Sequence, residues 1–279
     1  MVYKIDKTIQ KDITKHSRKL GLKRFFQSMG YERSGELPLV VSRLKSEFTK
    51  KLNYLDIGSG DAIFPSYILK NTNWNVNCVD KYSWVRKQNI YARKTSNSDS
   101  ATKRLHIYEQ DFMESDFKDG SFDVITNISV IEHFDNDNDS KAMRKSASLL
   151  KPGGIYVLTT LINENYFKEF FLQKNVYGKN YDKEPVFFQR HYDLNSLYSR
   201  LIEPSGLQEI ERIYFGDYDF QFCEVFLDVA WPWKPVKLLY QWANPFFARR
   251  FLSYRNYPVS RPDMNMYTSS GVFIVLTKK

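Results

Sequence analysis

From Lys51 to Leu161 the chain alternates short apolar runs with helical stretches, and that alternation constrains the fold more than any other feature. The runs Tyr54–Ile57, Val76–Asp80, Leu105–Gln110, Phe122–Ile128 and Ile155–Leu161 are rich in β-branched or aromatic residues, as buried strands are. Helices are expected between them, near Ala62–Lys70, Ser83–Lys94 and Lys141–Leu150. Parallel neighbours need a crossover, usually a helix, so the pattern predicts a doubly wound α/β sheet with helices on both faces. A helix near Leu194–Glu203, ended by Pro204-Ser205-Gly206, and strands near Leu207–Phe215 and Val272–Leu276 would complete a seven-stranded, mostly parallel sheet.

Three segments lie outside that pattern. Residues 1–50 read as a helical extension, polar around Lys7–Lys19 and more apolar around Leu37–Phe48. Residues 162–192 and 217–269 read as insertions into a domain spanning 51–279, placed to cap the edge of the sheet where an acceptor would sit. No repeat or low-complexity tract interrupts the chain.

The first strand runs into Gly58-Ser59-Gly60 and then a helix, a turn in which glycine lets the backbone approach a ligand closely. Taken alone, such a turn can also be a tight connection with no ligand. The second strand ends in Asp80, 20 residues after Gly60, where a carboxylate can accept from both hydroxyls of a ribose. The third ends in Gln110-Asp111-Phe112. All three strand ends converge on the crevice where doubly wound sheets bind ligands.

With these pieces the chain resembles the class I S-adenosylmethionine-dependent methyltransferases. The resemblance rests on LDIGSGDA (55–62), VD (79–80), QDF (110–112), FDVI and SVIEHF within 122–134, and LLKPGGIYVLTT (149–160), in that order. It implies S-adenosyl-L-methionine as cofactor. Asp56, Gly58 and Gly60, with Ser59, would surround its methionine end. Asp80, with Lys81 beside it, would hold the ribose. Asp111 would accept from the adenine amino group, Phe112 would offer its N–H or ring, and Ser129 would lie beside the cofactor. Ala62 stands where the family often has a third glycine, and a dinucleotide site would need glycine where Ile63 stands.

Methyl transfer to an alcohol needs a base near the methyl group. His133, after the fourth strand, is the candidate, and Glu132 would orient it, touch the acceptor or meet the cofactor's amino group. The alternative is that Glu132-His133 is a structural pair. His191 is a second candidate base, while Arg190 and Tyr192 would bind the acceptor; packing at a helix N-terminus is their structural alternative. Asp135, Asp137 and Asp139 read as a solvated loop, so no metal is expected. Cys78 and Cys223 have no metal-ligand spacing and suggest a reducing compartment.

The net charge of +9 is uneven. Residues 1–51 hold 13 Lys or Arg against five acids, and residues 231–262 carry six cations and no acid. In that second stretch Trp231, Trp233, Tyr240, Trp242, Phe246, Phe247, Phe251, Tyr254 and Tyr257 interleave with the cations, in a chain already 16% aromatic. Such an element can lie in a membrane interface, stack on sugars, or pack as a cap on the core or on a partner subunit. No run is long enough to span a bilayer and no signal peptide is apparent, so the expected location is cytoplasmic, with peripheral contact at an anionic membrane face. The leading expectation is O-methylation of a sugar in a glycan or glycolipid precursor, lipid-linked acceptors included. Lipid, quinone or other small-molecule methylation is the alternative, RNA methylation follows it, and nucleic acid is not the expected partner. A non-catalytic cofactor-binding module would be the reading from another class.

Overall fold

The computed structural model describes residues 2–95, 102–174, 184–219, 234–258 and 270–279, with 176, 177, 179, 181 and 222. The chain enters through a two-residue strand, β1 (Val2–Tyr3), and three helices, α1 (Lys7–Lys19), α2 (Leu22–Gln27) and α3 (Arg33–Leu44). Asp6 starts α1 by accepting from the N–H groups of Thr8 and Ile9 at 2.8 and 3.0 Å. α3 begins four residues before the apolar run that announced it and contains Pro38. Pro38 has no N–H for the carbonyl of Ser34, and Gln10 Nε2 donates to that carbonyl at 3.0 Å instead. A side chain of α1 thus repairs the defect in α3.

The alternating segment follows as β2 (Asn53–Ile57), α4 (Phe64–Asn71), β3 (Asn75–Asp80), α5 (Lys87–Thr95), β4 (Leu105–Glu109), β5 (Phe122–Ile128), α6 (Asn138–Leu149) and β6 (Leu150–Leu161). Next come a hairpin, β7 (Lys168–Leu172) and β8 (Val186–His191), and α7 (Leu194–Leu197), prolonged by a π turn, Tyr198–Ile202. The last elements are β9 (Gln208–Gly216), α8 (Lys234–Phe251), β10 (Ser253–Arg255) and β11 (Ser270–Thr277). The main sheet has the order β1-β10-β9-β11-β6-β5-β2-β3-β4. β4, β3, β2, β5 and β6 are mutually parallel, and β11 runs antiparallel between β6 and β9.

Nine strands replace the seven expected. The two additions, β10 and β1, extend the edge beyond β9 and are three and two residues long. Runs that short carry no period of two to read.

Alternate strand residues feed two cores. Tyr54, Val76, Cys78, Val124 and Val157 face α1, α3, α4 and α5, whereas Leu55, Ile57, Val79, Ile125 and Leu158 face α6 and α7. Ile13, Val40 and Leu44 are buried in the first core, so the N-terminal helices form one layer of the sandwich. Trp231, Trp233, Cys223 and Arg261 lie outside the described residues.

Candidate active site

β2 ends at the glycine turn. Gly58 has φ +71°, and a Cβ there would lie 2.3 Å from Val130, so the turn admits only glycine at that position. The Ser59 hydroxyl donates to the carbonyl of Asp56 at 2.8 Å and pins the loop from below. Asp56 is buried and accepts from the Tyr54 hydroxyl at 3.0 Å and from Thr126. Burial raises its pKa to about 6 against the pull of those hydrogen bonds.

Asp80 closes the turn from the neighbouring strand. Its oxygens accept from the N–H groups of Gly60 and Tyr82 at 2.9 and 2.8 Å. Burial raises its pKa while those two bonds oppose the shift. Each oxygen retains lone-pair capacity, and Gly60 offers no Cβ to fill the space beside it. Those features fit a ribose diol at this strand end, and with it a nucleoside cofactor. Asp111 caps the turn Phe112–Glu114 by accepting from Met113 N–H at 2.9 Å. The Phe112 ring is buried in the core, with Lys145 Nζ 5.2 Å from its centroid, so the ring is not a platform for adenine. Lys81 lies exposed, its Nζ 5.4 Å from the Tyr82 ring.

The end of β5 is built from distant parts of the chain. Ser129 holds a left-handed backbone, φ +47°, a conformation that costs a non-glycine residue on the order of 1–3 kcal/mol. Its N–H bonds both the carbonyl and the hydroxyl of Thr159 at 3.0 Å, which keeps it there. Its own hydroxyl donates to Glu36 of α3 at 2.5 Å, and Arg33 pairs with the other oxygen of Glu36. Glu132 is buried nearby and accepts from Thr160 at 3.2 Å. Burial raises its pKa to about 8, with the Arg33 charge opposing and the Glu36 charge adding.

His133 Nδ1 lies 2.7 Å from the carbonyl oxygen of Phe188. A carbonyl only accepts, so Nδ1 carries the proton and the neutral ring presents its lone pair at Nε2. Burial, with Arg33 and Lys81 adding, lowers its pKa to about 4, and the Phe188 bond opposes that shift. Tyr177 stands against His133, with centroids 5.8 Å apart, and stacks on Tyr82 at 5.1 Å. One ring from the 162–192 insertion therefore bridges the Asp80 end and the His133 end.

The cluster at 190–192 is placed differently from expectation. Arg190 is fully buried, donates to Asp139 at 2.7 Å and reaches Glu169 at 3.3 Å. Tyr192 donates to the same Asp139 oxygen at 2.9 Å, and Arg200 pairs with Asp139 from α7's extension. A charge taken out of water needs an opposite charge beside it, and Asp139 supplies one for Arg190, although Arg190 Nε makes no hydrogen bond among the described residues. Arg190 and Tyr192 therefore brace the loop after His133 and are not acceptor ligands. Asp139 correspondingly sits in the core, not in a solvated loop. His191 packs at 4.7 Å on Phe170, and burial first, then Lys168 and His133, push its pKa down to about 3. Among the described residues no three His, Cys, Asp or Glu gather as a metal site.

Arg33, Glu36, Tyr177 and Phe188 are the residues that sequence reasoning missed. Only Glu36 left a signal, as a lone charge opening the apolar run Leu37–Val41.

A family model described as "Methyltransferase domain" matches residues 29–201. A sarcosine/dimethylglycine N-methyltransferase of Aphanothece halophytica is 27% identical over 160 residues, 56% of this chain and 52% of that protein. The chain thus spans about half the length of that curated relative. Among solved structures, a 1,6-didemethyltoxoflavin-N1-methyltransferase of Burkholderia thailandensis, with S-adenosylhomocysteine bound, superposes with TM-score 0.54 at 12% identity, covering 97% of this chain and 87% of that one. An S-adenosylmethionine-dependent methyltransferase of Methanosarcina mazei superposes with TM-score 0.52 at 13% identity, covering 84% and 96%. At such identities these two structures speak for the fold.

Proposed function

The chain belongs to the methyltransferase domain family, and from that premise we propose that it methylates a hydroxyl of a sugar in a glycan or glycolipid precursor, with His133 as base. Its cofactor is S-adenosylmethionine. When bound, that cofactor supplies a methyl group on a sulfonium, ready for in-line displacement.

The chain's own residues divide the remaining work. Asp80 would take the ribose hydroxyls and Asp111 the adenine edge, while the bare backbone at Gly58 and Gly60 allows the close approach. Arg33 and Glu36 form a cation–anion pair against Ser129, complementary to an amino acid zwitterion. His133 carries the reading. Its Nδ1–H bond to Phe188 leaves Nε2 as the free lone pair, and a pKa of about 4 keeps the ring unprotonated at neutral pH. A base that weak removes a proton only as the acceptor oxygen becomes acidic during transfer, which suits concerted displacement. Glu132, with its pKa raised to about 8, is mostly neutral at pH 7 and can donate a hydrogen bond to the acceptor. Tyr177, packed against His133, would border an acceptor held there.

The similarity to a sarcosine/dimethylglycine N-methyltransferase favours a second reading, methylation of a small amine. Buried Glu36 would attract such an acceptor. The test is to incubate the protein with methyl-labelled S-adenosylmethionine and, in parallel, sugar nucleotides, lipid-linked saccharides, sarcosine and dimethylglycine. Label in a sugar methyl ether is the expected result. Label in the amines alone overturns the hydroxyl reading and leaves the cofactor assignment standing.

A further inference from the structure

α2 is a helix of six residues that buries none of them, yet three are Leu22, Phe25 and Phe26. Leu22 is 76% exposed, the most exposed large apolar side chain among the described residues. These three fall at i, i+3 and i+4, so they share one face. α8 lies alongside α2. Its aromatics divide: Tyr240, Phe247 and Phe251 stack on buried Phe222, while Trp242 and Phe246 remain 44% and 59% exposed. Arg18, on α1, reaches α8, donating to the carbonyl of Trp242 at 3.0 Å and lying 4.5 Å over its indole. Exposed Lys15 and Lys19 lie on neighbouring α1, Lys23 on α2 and Arg250 on α8.

We infer that the adjoining faces of α2 and α8 dock on an anionic lipid bilayer. Leucine and phenylalanine would enter the boundary between headgroups and acyl chains, the indole would sit at headgroup level, and the cations would meet lipid phosphates. The charge pattern selects the occupant. Residues 1–51 carry +8 net and 231–262 hold no acid, so a second copy of this face would be repelled. Nucleic acid would satisfy the cations but gives Leu22, which has no ring to stack, nothing to bury against. No helix among the described residues is long and apolar enough to cross a membrane, and docking through this face requires none.

The position of the face bears on the active site. Arg24, on α2, bonds the carbonyl of Asp61 and pairs with its carboxylate at 3.2 Å, immediately after Gly60. A bilayer against α2 would border the cofactor turn. The inference stands whichever acceptor is methylated.

The test is co-sedimentation of the full chain with vesicles of phosphatidylcholine alone and of phosphatidylcholine with phosphatidylglycerol, at low and high salt. Binding is expected only with phosphatidylglycerol, weakening as salt screens the charges. Leu22→Ser, Phe25→Ser and Phe26→Ser together should weaken it about tenfold or more, with S-adenosylhomocysteine affinity by calorimetry unchanged as proof of folding. No binding at low salt overturns the inference. So does binding that the triple change leaves intact in a folded protein, or single-stranded oligonucleotide binding that the same change abolishes.

Discussion

The Asp80 end and the His133 end of the site lie side by side but are assembled in opposite ways. At the Asp80 end the functional groups come from consecutive strand–turn units, and each partner is a near neighbour: Gly60 and Tyr82 on Asp80, Met113 on Asp111. At the His133 end the contacts span the chain, with Ser129 bonded to Glu36 93 residues away and His133 to Phe188 55 residues away. Local loops can hold a cofactor shared by a whole family. Remote insertions can be exchanged without disturbing them, so the proposed function assigns acceptor choice to the second end.

His133→Ala should produce the largest effect, a fall in turnover of about 10²–10⁴-fold with cofactor affinity near wild type. The pH profile sharpens the point. A base with pKa about 4 is lost only as pH falls through that value, so the acid limb of kcat/KM should lie well below the ~6.5 of a free imidazole. An acid limb near that ordinary value, or turnover that survives His133→Ala and disappears in His191→Ala, removes His133 from the mechanism.

Asp80→Ala should act on the other end alone. Loss of hydrogen bonds to a carboxylate corresponds to about 1.5–3 kcal/mol, roughly a 10–100-fold weaker affinity for S-adenosylhomocysteine by calorimetry. Unchanged affinity in a folded variant would contradict the ribose assignment and with it the division between the two ends.

That division also explains what could be read from sequence. Parallel strands buried on both faces appear as apolar runs, and acids at their ends stand out because the preceding residues are apolar. Asp80 and Asp111 were visible for that reason. Glu36 and Tyr177 reach the site through helix packing and an irregular insertion, whose geometry no local period encodes. Arg190 shows the reverse error. A charged residue near a site suggests a ligand contact, but its partner, Asp139, lies 51 residues earlier and only the fold brings them together.

Arg33 and Glu36 test where the boundary between the ends falls. If the pair meets the amino acid portion of the cofactor, Arg33→Ala should weaken S-adenosylhomocysteine about 5–10-fold, the lower range for a partly exposed charged contact. It should leave 5′-methylthioadenosine, which lacks that portion, unchanged. Equal loss for both ligands means that α3 supports the fold and not the zwitterion. No loss for either places the pair with the acceptor.

The smallest effect is expected on α8, where the same comparison recurs within one helix. Phe247 and Phe251 lie on buried Phe222, and that face packs against the core. Trp242 is 44% exposed, and its one described ring contact is with Arg18. A buried tryptophan would lose about 3–5 kcal/mol on truncation to alanine. The exposed indole has no cavity to leave behind, and a cation–π contact at a surface is worth only about 0.5–1 kcal/mol. Trp242→Ala should therefore lower thermal stability by about 1 kcal/mol, while Phe247→Ala costs several times more. Melting both variants under identical conditions settles the assignment, because equal losses would make Trp242 a core residue. In that event the exposed face of α8 shrinks to Phe246, and α2 alone would have to carry the contact with lipid.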